Sequence, residues 1–178
     1  MPRTAPATLR LASIVNGHAG LTSAGATALV EAAEVCLDHH GHRSGVSLHV
    51  RLATAKPVAH PLEFTKPTPT ARRANHDLQD AVEAGAIAVA VAWLMAETDY
   101  RVVQRSRKGT GFDYWLGHTP ATFDARLEVS GILRGDEPRV AARLATKLDQ
   151  MTRSDGGGLP GYAVVVEFGA PRASVGEK

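Results

Sequence analysis

A chain of 178 residues, 44% hydrophobic and 21% charged, has the length and composition of one globular domain with a sizeable core. Its formal charge of +2 is too small to argue a polyanion partner on net charge alone, although a sequence pI near 8.9 leans basic. A single cysteine, Cys36, excludes an intramolecular disulfide and reads as a small buried hydrophobe.

The N-terminal stretch carries Arg3 and Arg10 but no continuous apolar run before Asn16, so no signal peptide is expected. Leu9, Leu11 and Ile14 are candidates to dock on the body. Ser23 suits the N-cap of a helix to about His40, with Leu29, Val30, Ala33 and Leu37 at helical spacing. His39, His40 and His42 invite a metal reading. Neighbouring histidines at a helix end rarely face one ion, however, and histidine also suits a helix C-terminus electrostatically. Gly45–Ala53 alternates as a half-buried strand. Pro57–Pro69 is proline-rich, with a short strand expected around Leu62–Phe64 and then a loop. Arg72, Arg73 and His76 form a small basic cluster, read as a solvated face or a phosphate contact.

A helix is expected from about Asp77 to Glu97, with Leu78, Val82, Ile87, Val91 and Leu94 as its apolar stripe. The longest apolar run, Ala84–Ala96, is too short to cross a bilayer, so a cytoplasmic protein without membrane contact is expected. Glu83 sits in this helix, either exposed on the outer face or reaching toward acids elsewhere. Tyr100–Gln104 reads as a strand and Arg105–Lys108 as a basic turn. Asp136, Glu137 and Pro138 start a helix carrying Val140, Leu144, Leu148 and Met151, ended by Ser154–Gly158. Tyr162–Phe168 is nearly all apolar and reads as a strand buried on both faces. Arg172–Lys178 reads as a frayed tail.

The most informative stretch is Lys108–Gly117 followed by Ala125–Gly131, two strands rich in aromatic and β-branched residues and bracketed by glycine. Alternation places Leu127 and Val129 on one face, and Arg126, Glu128 and Ser130 on the other. It places Asp113 with Trp115, and Phe112 with Tyr114. Isolated acids among apolar neighbours are costly to bury, and two acids on adjacent strands repel unless a cation or a proton lies between them. That is the physical hint of a metal site.

From Asp77 onward the order is helix, strand, strand, strand, helix, strand. The three middle strands are close enough in sequence to form a meander, and the last is reached through a helix, which permits a parallel crossover. This order, with Asp113 on the second strand and Glu128-x-Ser130 on the third, resembles the PD-(D/E)xK nuclease superfamily over about ninety residues. The resemblance implies an α/β (α+β) fold with a restriction-endonuclease-like core, a central mixed sheet flanked by helices. Residues 71–170 would be that core, residues 1–70 an N-terminal helix-strand extension packed on it, and 171–178 a flexible tail. One departure matters: the lysine that follows the second acid in the family is Ser130 here, leaving Lys108 and Lys147 as substitutes.

The resemblance further implies metal-dependent hydrolysis of phosphodiester bonds in DNA (or RNA), in the setting of bacterial defence or a mobile element. Mg²⁺ or Mn²⁺ would be held by Asp113 and Glu128 with the carbonyl of Val129, and Glu83 would bind through water or hold a second ion. Lys108 or Lys147 would orient the attacking water, with Ser130 as a hydrogen-bonding neighbour. Arg105, Arg107, Arg126, Arg72 and Arg73 would hold the nucleic acid backbone, and Trp115 would stack on a base or serve the core. Two alternatives stand beside this one. The first is a catalytically inactive module of the same fold that binds nucleic acid or a protein. The second is a structural subunit of a homo-oligomer or larger complex, with Asp113 and Glu128 bridged by arginines such as Arg126.

Overall fold

The computed structural model describes residues 5–178. Arg3, used above to argue against a leader, lies outside the described residues. In chain order the elements are β1 (Leu9–Arg10), a 3₁₀ turn (Leu11–Val15), α1 (Ser23–His39), β2 (Val46–Leu52), β3 (Val58–Glu63), α2 (Pro69–Ala74) and α3 (Leu78–Glu97). They continue with β4 (Arg101–Arg105), β5 (Tyr114–Gly117), β6 (Ala125–Ile132), α4 (Glu137–Gln150), a second 3₁₀ turn (Met151–Gly157), β7 (Gly161–Glu167) and β8 (Arg172–Glu177). The fold is mixed α/β, as its patterning predicts.

All strands join one eight-stranded sheet in the order β1-β3-β2-β8-β7-β6-β5-β4. β4, β5 and β6 form an antiparallel meander, and β7 runs parallel to β6 after the α4 crossover. β8 lies antiparallel to β7 and parallel to β2. One face carries α3 with α1 against it, and the core there holds Leu127 and Val129 of β6 and Val164 and Val166 of β7. The alanine content of both helices suits this close packing. The opposite face is covered by α4, with Val140 over Ile132 and Val165.

The helix starts follow from local chemistry. Thr22, one residue before the expected cap, accepts the Gly25 amide at 3.1 Å, Asp77 accepts that of Gln79 at 2.9 Å, and Asp136 accepts that of Arg139 at 3.0 Å. Leu9, Leu11 and Ile14 are fully buried, and burial pushes the Cys36 thiol up to about 12. The histidines after α1 serve the fold: His40 Nε2 lies 2.7 Å from the Leu133 carbonyl and His42 Nε2 lies 2.9 Å from that of Phe168.

Several expectations are corrected. The residues expected as a frayed tail form β8, inside the sheet, with Ala173 and Val175 buried. Residues 1–70 are more than an outside addition, because β1, β3 and β2 extend the same sheet through β8. The proline-rich stretch holds the six-residue β3, and its last proline, Pro69, starts the short helix α2. α3 spans 20 residues and is long and apolar enough to cross a membrane. Yet 61% of its apolar window is buried inside the fold, which accounts for the hydropathy as core.

Because β8 lies between β2 and β7 and pairs with both, its loss should divide the sheet. Deleting residues 171–178 is expected to abolish the cooperative thermal transition followed by circular dichroism. A truncated chain that melts like the intact one would contradict this topology.

Candidate functional site

β5 leaves β6 early. Asp113 donates its amide to the Leu127 carbonyl at 2.8 Å, and pairing stops there while β6 continues to Ile132. Strand geometry points the amides of Val129 and Gly131 into the resulting fork. A buried amide without a partner is costly. Each finds a carboxylate: the Val129 amide donates to Asp113 Oδ2 at 2.9 Å and the Gly131 amide to Glu83 Oε2 at 3.1 Å. Two acids from different elements are thus drawn to one opening by unmet backbone donors.

Two glycines make this possible. A Cβ at Gly131 would collide with the Val82 carbonyl, so only glycine lets α3 approach closely enough to bring Glu83 to the fork. Gly111 has φ +86°, and a Cβ there would meet the Gln150 carbonyl of α4. That close approach sets the turn that delivers Asp113.

Glu128 points to the α4 side, as do Arg126 and Ser130; the three are 2%, 2% and 1% exposed. Residues 143, 147 and 150 of α4 lie along one helical stripe above them. Lys147 Nζ donates to Glu128 Oε1 at 2.6 Å and Gln150 Nε2 to the same oxygen at 3.2 Å. Arg143 Nη1 donates to Ser130 Oγ at 2.9 Å and lies 3.9 Å from Glu83 Oε1. Burial pushes the Glu128 carboxyl up to about 7; Lys147 opposes that rise, and the nearby Asp113 charge adds to it.

Glu83, Asp113, Glu128 and Lys147 line one cleft of about 480 Å³ together with Val129, Gln150 and the Arg105–Gly109 turn. Of the two lysines considered, Lys147 reaches an acid, whereas Lys108 stands on the exposed rim. Arg107 is likewise exposed on the rim, and neither it nor Lys108 has an acidic partner among the described residues. Arg105 donates to the Tyr114 hydroxyl at 2.7 Å and packs on its ring.

Other candidates lie elsewhere. Arg126 is buried, donating to Ser154 Oγ at 2.7 Å, to Asp155 Oδ1 at 3.1 Å and to the Leu159 carbonyl at 2.6 Å. It ties the second 3₁₀ turn to β6 and does not bridge Asp113 to Glu128. Arg72, on α2, pairs with Asp38 of α1 at 3.0 Å, and neither it nor the exposed Arg73 lines the cleft. Phe112 does not side with Tyr114: it packs at 4.7 Å on Trp115, on the Asp113 side, because the glycine turn interrupts strand alternation before β5. Arg143 and Gln150 are absent from the sequence expectation, although their spacing from Lys147 was the signal that could have found them.

Among the described residues, no group of three or more His, Cys, Asp or Glu side chains is arranged to hold a metal ion. The available donors are two neighbouring carboxylates, Asp113 and Glu128, with the Val129 carbonyl on the fork side and Glu83 beyond. That set suits a hard cation of the Mg²⁺ kind, which commonly takes one or two carboxylates and completes its shell with water and substrate phosphate. Compared with known proteins, the chain matches no family model, no curated protein and no solved structure.

The raised Glu128 carboxyl carries a sign. Between its ordinary 4.5 and about 7 the folded chain binds more protons at this group than the unfolded chain, so the group's contribution to stability falls as pH rises through that window. Glu128→Gln is expected to flatten that fall, read from urea midpoints at pH 5 and pH 8. Equal slopes in variant and parent would show that Glu128 ionises normally.

Proposed function

We propose that the cleft hydrolyses phosphodiester bonds in nucleic acid, DNA foremost, with Mg²⁺ or Mn²⁺. The observation that carries the reading is the meeting of Glu83, Asp113, Glu128 and Lys147 at the fork between β5 and β6. The order α3, then the β4–β6 meander, then α4 and the parallel β7 supports it. We read that order as the one the resemblance to PD-(D/E)xK nucleases implies. Lys147 supplies from α4 the positive charge that Ser130 cannot supply from β6.

In this account Asp113, Glu128 and the Val129 carbonyl hold the cation. When bound, that cation polarises a phosphate oxygen and lowers the pKa of an attacking water. Glu128 would have to give up its proton to hold the cation, so cation binding is favoured as pH rises. Lys147, 2.6 Å from Glu128, would supply the ammonium that neutralises charge on the attacked phosphate. Ser130 is held by Arg143 and keeps Glu83 beside the fork. Arg107 and Lys108 on the rim meet the backbone of the nucleic acid, a contact that demands charge and no particular sequence.

A binding-only reading has one observation in its favour. Glu128 already has a cation in Lys147, and Asp113 and Glu83 already have backbone donors. Activity separates the two. Asp113→Ala is expected to abolish cleavage of a labelled oligonucleotide, Lys147→Met to slow it by about 100-fold or more, and EDTA to stop it. Cleavage unchanged in Asp113→Ala and indifferent to EDTA would end the hydrolytic reading.

A further inference from the structure

A row of three aromatic rings leads away from the cleft. Phe112 forms part of its wall and is 6% exposed. Its ring centroid lies 4.7 Å from that of Trp115 at 80°, and Trp115 lies 5.3 Å from Phe123 at 52°. Phe123 is 45% exposed, whereas most large hydrophobic side chains are interior. The row therefore opens from a buried end beside Asp113 to a solvent-facing end.

The exposed end is held in place. Phe123 belongs to the loop between β5 and β6, and this loop closes around Asp124. The Asp124 carboxylate accepts the His118 amide at 2.8 Å and the Thr122 hydroxyl at 2.7 Å, and lies 2.9 Å from His118 Nδ1. These bonds hold the Asp124 carboxyl down at about 2, so the arrangement persists across the ordinary pH range. The Asp124 amide donates to Leu116 at 2.8 Å, anchoring the loop to β5. A tightly bonded loop that leaves a phenylalanine in water costs nothing further in ordering when a flat ligand lands on it.

Charge lies at the other end of the same wall. The turn that precedes Phe112 carries Arg107 and Lys108, both exposed. A cationic rim followed by a row of aromatic rings that ends on an exposed face is the pairing that single-stranded nucleic acids select, since their bases are free to stack and their phosphates need cations. A duplex hides its base faces and would gain only the rim.

We propose that Trp115 and Phe123 form a base-stacking platform for single-stranded nucleic acid leading into the cleft. The cleft thereby prefers a strand with unpaired bases to a duplex. The proposal rests on the phosphodiester reading for the identity of the ligand, so it is tested without turnover. Fluorescence polarisation in EDTA would compare a labelled single-stranded oligonucleotide with its matched duplex. The single strand is expected to bind at least about ten-fold more tightly. Phe123→Ala should weaken single-strand binding by about 5- to 160-fold, the loss of one stacked base at 1–3 kcal/mol, with duplex binding unchanged, whereas Phe123→Trp restores it. Lys108→Ala should weaken both ligands. Binding should also quench Trp115 emission over the constant background of buried Trp93.

Equal affinity for strand and duplex, or a Phe123→Ala variant that binds as the parent does, would overturn the platform. Self-association abolished by Phe123→Ala, without oligonucleotide binding, would also overturn it and assign the ring to a contact between copies. A chain that binds strands as stated yet never cleaves them would sink the hydrolytic reading alone.

Discussion

The point at which β5 stops pairing with β6 governs the rest of this molecule. A sheet strand whose neighbour departs keeps donors and acceptors aimed at empty space, and burial makes that arrangement costly. Here β6 meets the cost with carboxylates, Asp113 from its former partner and Glu83 from the helix beneath. Backbone hydrogen bonding thus concentrates negative charge at the opening between β5 and β6. Glu128, facing the other layer, adds a third carboxyl, whose ionisation the nearby Asp113 charge opposes.

The surroundings set how that charge is balanced. Lys147 stands 2.6 Å from Glu128 and is largely covered, so its attraction is screened less than that of a surface pair. Losing one partner of such a pair leaves an uncompensated buried charge, so substitution of Lys147 alone is expected to cost stability. Arg126, by contrast, directs both of its terminal nitrogens to structural partners. It stitches the segment after α4 to the start of β6 and so fixes the direction from which Lys147 and Gln150 approach. An arginine thus serves architecture at one end of the strand, while a lysine, Lys147, lines the cleft at its middle.

Much of this was legible in the sequence. Alternation in residues 125–131 places Glu128 and Ser130 together on the face that α4 covers. Element order gives the meander and the crossover, and Lys147 stands among the substitute cations. What escaped depends on distance in the chain. β8 contributes only Ala173 and Val175 to the core, too short an apolar pattern to stand out from a tail, and its central place comes from pairing with β2 more than a hundred residues earlier. Phe112 broke the alternation rule because Gly109 and Gly111 adopt positive φ, which resets the facing of the residues that follow. Arg126 looked like a surface cation because its partners at 154–159 meet it only after the second 3₁₀ turn folds back.

The central claim is that Asp113 and Glu128 share one divalent cation at the fork. Titrating Mn²⁺ into the full chain at pH 8, with bound ion counted by electron paramagnetic resonance, tests it most directly. The account predicts one ion per chain, lost when Asp113→Asn and Glu128→Gln are combined and competed away by Mg²⁺. No bound ion in the parent chain, or one that survives both substitutions, would contradict it.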